Sequence, residues 1–381
     1  MNKKIKVLRI ISTLDQSFGG PTNTIVDSSL ALAKSGFKVD ILTFDNKENY
    51  KLFNKIKVIN KGPALGKYKF SLNLLYWLIK NKSKYDLFIV HGIFQFSTLI
   101  ASLVLKNKFF VFIHGALDPY FSSEFFKCIK KKIYWKLIEK QNLLNSKGLI
   151  LTNKIESKQL ARTYVNTKGL KKIVVNYGIS KPKFNKRKSQ KKFYKKFPSL
   201  KDKKFLLFLG RFHKKKGLDI LINSLRNISK KGIYMNVLMV GPHSEHKEEI
   251  INMTKINGLS SNIFWSDTLS GDLKWGAILS SIGMVLPSHG ENFGVSLVES
   301  LSCSRPVITT NKVNIYDKIL QNKSGLVSKN KTEAYTKILL KFHNLSEKEK
   351  KKYSKNSLKC FNNNFNIDNK INSLVETLKY S

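Results

Sequence analysis

The sequence predicts an α/β protein built from two doubly wound domains with a cleft between them. Three observations carry this reading. Short apolar runs alternate with helical patterns along the chain. The runs are nearly continuous in β-branched and aromatic residues, as in parallel sheets buried on both faces. The alternation breaks once, between residues 181 and 204, and then resumes.

The first series of strands is KVLRIIS, KVDILTF, DLFIVHG, FFVFIHG, GLILTN and KIVVNYG, bounded by Gly, Asn, Asp or Lys. Helices are expected over 21–35, 71–82, 94–106 and 122–146. Strand–helix–strand order implies parallel strands with crossover helices, giving a first domain over 1–180. Residues 181–204, KPKFNKRKSQKKFYKKFPSLKDKK, are dense in charge, hold two prolines and show no sustained periodicity. They are expected to be a basic, solvated linker. The second series, over 205–365, has strands KFLLFLG, MNVLMVG, NIFWSD, GMVLPS, RPVITT and SGLVS. Its helices are expected over 217–231, 245–257, 272–281, 294–303, 332–344 and 346–362, and a last helical stretch covers 367–380. Ligands should bind where the strands end, in the cleft.

The formal charge is +44, from 69 Lys and Arg against 25 Asp and Glu. Lysine supplies nearly all of it; arginine stands only at Arg9, Arg162, Arg187, Arg211, Arg226 and Arg305. Arginine is the usual choice for bidentate reading of phosphates and bases, so the excess reads first as a diffuse solvated field. Attraction to an anionic membrane surface is the second reading, and nucleic acid the third. Cys128, Cys303 and Cys360 are far apart and lack CxxC spacing, which fits a reducing cytoplasm and excludes a disulfide framework or zinc ribbon. The apolar run near the N-terminus ends at Asp15 and reads as a strand. GIFQFSTLIASLVL, over 92–105, is shorter than the ~20 residues a spanning helix needs. Membrane contact would therefore be peripheral, on the cytoplasmic face.

Four segments carry the chemistry. In PSHGENFGVSLVESLSC a strand is followed by a loop and a helix, whose first N–H groups suit a phosphate. Gly294 allows close backbone approach there. Glu299 can accept hydrogen bonds from a ribose diol, and Glu291 lies near whatever the phosphate carries. In FLGRFHKKKGLDILINSL, Arg211 and Lys216 follow a strand, placed to bind a phosphate by fork and by point charge. Gly19–Gly20 stands between a strand and a helix opening at Pro21 or Thr22, a backbone-lined site or a plain tight turn. His114, in FIHGALDPY, sits at a strand end; His91, also followed by glycine, shows how readily that pattern arises.

Together, GGP near the N-terminus, HG at His114–Gly115, GRxxxxKG, and the Glu291–Glu299 pair with seven residues between resemble family 4 of the retaining GT-B glycosyltransferases. PSHGENFGVSLVESLSCSRPVITTN is especially close, whereas NYG at Asn176–Gly178 matches that family's PNG loosely. HGALDPY and the basic helix after it resemble members that build polysaccharides and O-antigens.

The resemblance implies two Rossmann-like domains, the second holding a nucleotide-sugar donor, and a terminal helix, within 366–381, that crosses back to the first. It implies that Arg211 and Lys216 bind the diphosphate. Asn292 and the amides of Phe293, Gly294 and Val295 would support phosphate and sugar. Glu299 would hold the ribose, Glu291 would contact sugar hydroxyls, His114 would lie by the reacting sugar, and Gly19 and Gly20 would border the diphosphate. The acceptor would be a glycan or lipid-linked glycan. No two aspartates stand two apart, so the DxD metal motif is absent, and neither metal nor cofactor is expected. The rival readings are a GT-B nucleotide-sugar 2-epimerase, which needs no acceptor, and a basic nucleic-acid-binding protein with steeply salt-dependent affinity.

Overall fold

The computed structural model describes residues 4–15, 20–44, 56–123 and 125–380. The chain divides into two compact units, residues 1–180 with 367–381, and residues 181–366.

The N-terminal unit carries β1 (Lys6–Ile10), β2 (Lys38–Thr43), β3 (Lys57–Asn60), β4 (Leu87–His91), β5 (Phe109–Phe112), β6 (Gly148–Leu151) and β7 (Lys172–Val174). They form one sheet in the order β3-β2-β1-β4-β5-β6-β7, and every pairing is parallel. Its helices are α1 (Gly20–Lys34), α2 (Leu72–Asn81), α3 (Phe96–Leu105), α4 (Phe125–Tyr134), α5 (Lys140–Leu144) and α6 (Lys154–Gln159). β4 and β5, LFIVH and FFVF, are buried throughout, as a sheet covered on both faces requires. Leu8, Ile10, Phe88, Val90, Val111 and Leu149 pack against Leu74 and Leu78 of α2 and Ile100 of α3. Strand side chains alternate, so Arg9 leaves β1 on the opposite face, beneath α1.

The helix expected over 122–146 is interrupted by a π-turn, Trp135–Glu139, between α4 and α5. The wider turn buries both its ends. Trp135 Nε1–H donates to Asn166 C=O at 3.1 Å, and the Glu139 carboxylate accepts from Phe94 N–H at 2.9 Å. Burial pushes the Glu139 carboxyl up to about 6. The edge strand β3 and the short α6 were not anticipated, being too short for a clear period. The strand expected over 172–178 stops at Val174. Beyond it, Asn176 N–H donates to Ser373 Oγ at 2.8 Å and Tyr177 is buried.

The C-terminal unit opens with α7 (Lys186–Lys196), followed by β8 (Phe205–Leu209), α8 (Leu218–Ser229), β9 (Asn236–Val240), α9 (Glu245–Ile256), β10 (Ile263–Ser266), α10 (Gly271–Ser280), β11 (Gly283–Leu286), α11 (Val295–Ser302), β12 (Val307–Thr310), α12 (Tyr316–Gln321), β13 (Gly325–Ser328), α13 (Thr332–His343) and α14 (Glu347–Asn364). The sheet order is β10-β9-β8-β11-β12-β13, parallel throughout. The expectation of a solvated linker over 181–204 needs correcting. α7 packs on α10, with Ser189 and Phe193 buried, Phe193 against Phe205, and Lys192 paired with Asp272 at 2.6 Å. The lysines between these residues mask the helical period in the sequence.

Two short helices, α15 (Ile367–Lys370) and α16 (Asn372–Lys379), end the chain and belong to the N-terminal unit. Ile367 N–H donates to Ile179 C=O at 3.0 Å, Lys34 pairs with Asp368 at 3.3 Å, and Leu374 and Leu378 are buried. Among the described residues no helix is long and apolar enough to cross a membrane, and no group of three His, Cys, Asp or Glu could hold a metal.

Candidate functional site

Each sheet reverses its winding beside its first strand: β1 lies between β2 and β4, and β8 between β9 and β11. Switch points of this kind open a crevice at the carboxyl ends of the strands, where α/β proteins bind ligands.

At the switch point of the C-terminal unit, the loop after β8 carries Arg211 and Lys216, and the loop after β11 carries Glu291, Asn292 and Phe293. The loops are tied together. His289 N–H donates to Lys215 C=O at 2.9 Å. Gly217 has φ 66°, and a Cβ there would stand 2.1 Å from the Pro287 carbonyl oxygen, so glycine is required for the loops to meet. Asn330 donates to Ser288 C=O at 3.0 Å and accepts from His289 at 2.8 Å. The other His289 nitrogen lies 3.1 Å from Asp219, which raises the imidazole pKa. Glu291 is fixed by its own backbone: its N–H donates to Lys312 C=O and its C=O accepts from Asn314 N–H, both at 2.9 Å.

This bracing puts the Lys216 ammonium on the Glu291 carboxylate, with both side chains 20% exposed. Burial would raise the Glu291 carboxyl, but Lys216, then Lys215 and the Gly294 N–H, more than offset it and hold it below the usual carboxylate range. Arg211 is exposed and makes no hydrogen bond or ion pair with the described residues. Gly294 is left-handed (φ 66°, ψ 58°) and caps α11, whose leading Val295 N–H precedes the first intrahelical acceptor. Asn292 and Phe293 are buried; Asn292 Oδ1 accepts from Asn314 at 3.4 Å, and Phe293 meets the edge of Phe365. The two loops thus carry one guanidinium without a partner among the described residues, one lysine paired with a carboxylate, and the positive end of a helix, groups that suit an anion.

Glu299, on α11, is not a bare acceptor. Lys274 of α10 pairs with it at 2.5 Å, the two side chains being 16% and 8% exposed. Sequence reasoning missed Lys274 among so many lysines. Its signal is its setting, LKWGAIL, an apolar helix in which a buried lysine needs an acid. Nearby, Phe212 lies 5.8 Å from Trp265, and Lys247 stands 5.4 Å over Phe212 while pairing with Asp267 at 3.0 Å.

The switch point of the N-terminal unit is different. Arg9 is fully buried and donates through Nη1 to Ser28 Oγ at 2.7 Å, Ser29 Oγ at 3.0 Å and Ile25 C=O at 3.2 Å, all on α1. Its Nε–H donates to His91 Nε2 at 3.2 Å, and His91 Nδ1 lies 2.8 Å from His114 Nε2. His114 has φ 49° and stacks on Phe112 at 4.2 Å. Burial and then the Arg9 charge hold His114 down to about 3, and His91 well below its ordinary value. His91, set aside as a chance repeat of the HG pattern, is His114's partner. Tyr177, the departure from PNG, meets the edge of His114 at 6.2 Å and hydrogen-bonds Thr24 of α1. Gly20 opens α1 and its carbonyl accepts from Thr24 Oγ1 at 3.0 Å; Gly19 lies outside the described residues.

Two parallel Rossmann-like units, one with a paired-charge crevice beside a helix N-terminus, define a GT-B fold. Residues 189–359 match the family model of the group 1 glycosyl transferases. An uncharacterized glycosyltransferase of Methanocaldococcus jannaschii is 27% identical over 297 residues, 76% of this chain and 75% of its own. Sucrose-phosphate synthase from Thermosynechococcus elongatus superposes with a TM-score of 0.77 at 15% identity, covering 99% of both chains. Anabaena HepE, solved with UDP and glucose, superposes at 0.76 with 13% identity, covering 99% of this chain and 100% of its own. The two solved structures bear on the fold; the family match and the archaeal relative support glycosyltransferase function.

Proposed function

We propose that the protein is a retaining, metal-independent glycosyltransferase of family 4 that moves a sugar from a nucleotide-diphosphate sugar to a hydroxyl of a glycan or lipid-linked glycan, in polysaccharide or O-antigen synthesis. The observation that carries it is the Lys216–Glu291 pair, which joins the loop after β8, also the bearer of the unpaired Arg211, to the loop that leads into α11.

The reacting sugar passes through an oxocarbenium-like state as negative charge grows on the leaving diphosphate. Arg211, Lys216 and the α11 amides stabilise that charge, and preorganised electrostatics of this kind supplies the largest share of many rate enhancements. As phosphate takes up Lys216, Glu291 is released to sugar hydroxyls. Glu299, oriented by Lys274, accepts from the ribose. The acceptor oxygen bonds the anomeric carbon on the face the diphosphate leaves, and its proton passes to the departing phosphate oxygen. Both carboxylates are committed to the donor, so a covalent glycosyl-enzyme trapped with a slow donor would contradict same-face attack.

Fixed cations take the place of a metal. Transfer is expected to be unchanged in EDTA, and strict dependence on a divalent ion would contradict the reading. The glycosyltransferase matches favour transfer over the epimerase alternative. Incubation with donor alone separates the two: nucleotide-sugar interconversion without acceptor would mark an epimerase.

A peripheral site on the cytoplasmic face of an anionic membrane fits the N-terminal unit. Ile129, Ile133 and Leu137 follow at four-residue spacing and are 40%, 55% and 71% exposed, with Lys130, Lys132 and Lys136 between them. Leu72, Tyr76 and Ile79 of α2 are exposed as well, and α2 packs on α3, which meets the π-turn and α5. Apolar surface ringed by lysine suits anionic lipid.

A further inference from the structure

We propose that Arg9, acting through His91, locks His114 in its neutral Nδ1–H tautomer, so that His114 serves as a fixed hydrogen-bond donor to an acceptor oxygen of the sugar or phosphate and cannot serve as a base. The tautomer follows from which atoms can donate. A guanidinium Nε–H can only donate, so His91 Nε2, 3.2 Å from it, must accept. A neutral imidazole with its lone pair at Nε2 carries its proton at Nδ1. That proton faces His114 Nε2 at 2.8 Å, so this nitrogen also accepts and the His114 proton sits at Nδ1. Protonating either ring would place two N–H groups against each other somewhere along the row. Burial and the Arg9 charge oppose it further.

The row is held along most of its length. Ser28, Ser29 and the Ile25 carbonyl fix the guanidinium from α1. Phe112 stacks on both rings, 5.5 Å from His91 and 4.2 Å from His114. The other titratable groups around it are Tyr177, against the His114 edge, and Glu156 of α6, which accepts from Gly115 N–H at 2.8 Å; Asp27 of α1 acts on Tyr177. No described residue occupies His114 Nδ1, and His114 is partly exposed. His91 touches no ligand in this account and is a positioning residue. The ligand half of the proposal rests on the glycosyltransferase reading; the tautomer half does not.

Long-range ¹⁵N–¹H correlation spectra of the full chain, labelled in histidine, read the tautomers directly; His91→Gln and His114→Gln assign the signals. The expected result is Nδ1–H for both rings, with no titration from about pH 7.5 down to about 5. An Nε2–H signal for His114, or a midpoint near the ordinary value of about 6.5, overturns the proposal. Glutamine at 91 can accept from Arg9 and donate to His114; phenylalanine fills the space and does neither. His91→Phe is expected to move His114 towards Nε2–H and to lower kcat about tenfold, the scale of one hydrogen bond to a developing charge. His91→Gln is expected to keep the tautomer and most of kcat. Equal losses in the two variants, with the tautomer unmoved, would make His91 merely structural. If the tautomers are as stated but no donor is turned over, the relay stands and the transferase reading fails.

Discussion

At the switch point of the C-terminal unit the charges are kept and matched, Lys216 with Glu291 and Lys274 with Glu299. At that of the N-terminal unit, Arg9 keeps its charge against hydroxyls and a carbonyl, while His91 and His114 stay neutral. The two crevices share sheet topology and differ in what a ligand meets. A paired lysine and glutamate can exchange partners when a phosphate arrives. A neutral imidazole locked by a buried cation presents one N–H and keeps it through the range where an ordinary imidazole titrates. On the proposed function, the first arrangement would respond to ligand charge and the second would fix direction.

The largest expected effect comes from breaking a pair. Lys216→Met leaves Glu291 buried without its counterion, so its carboxyl should rise above the ordinary range and stability should fall. Breaking a buried pair removes roughly 3–5 kcal/mol; partial exposure brings this nearer about 1–2 kcal/mol. kcat/KM should fall about 10²–10³-fold, as when an oxyanion donor is lost. Denaturant melts and steady-state kinetics check both, and adding Glu291→Gln should restore stability but not activity. Next is Lys274→Met, expected to weaken nucleotide binding about tenfold by freeing Glu299 from its orientation. A calorimetric cycle with Glu299→Gln should show strong non-additivity; independent effects would remove Lys274 from the site.

The neutral crevice should appear in acid. The folded pKa of His114 is about 3, below the ordinary 6.5, so between these values the unfolded chain binds the extra proton. Stability should therefore fall as pH drops from about 6.5 towards about 3, and less steeply in His114→Gln; thermal melts across that range read the slope. The smallest effect on the fold is expected from Ile133→Glu with Leu137→Glu. Both positions are exposed, so stability should change by no more than about 0.5 kcal/mol. Co-sedimentation with anionic vesicles should nevertheless drop, and unchanged binding would move membrane contact elsewhere.

Much of the fold was legible because buried parallel strands are written as unbroken apolar runs, such as LFIVH and FFVF. α7 was not, since Ser189 and Phe193 are spaced correctly but submerged in lysine. In the candidate site, Arg211, Lys216, Glu291 and Glu299 stood out through their spacing after strands. Lys274 and His289 were hidden because their partners, Glu299 and Asp219, come from elements distant in sequence. His91 and Arg9 were hidden for the same reason, and because one HG looks like another.

The C-terminal unit is proposed to bind a nucleotide sugar through Arg211, Lys216 and α11. A thermal-shift screen of the whole protein against UDP-, GDP- and ADP-sugars, with Arg211→Ala and Glu299→Ala alongside, tests it most directly. Stabilisation by one nucleotide family, lost in both variants, is the expected result and would name the base. No shift with any nucleotide sugar, or an equal shift in Arg211→Ala, would contradict it.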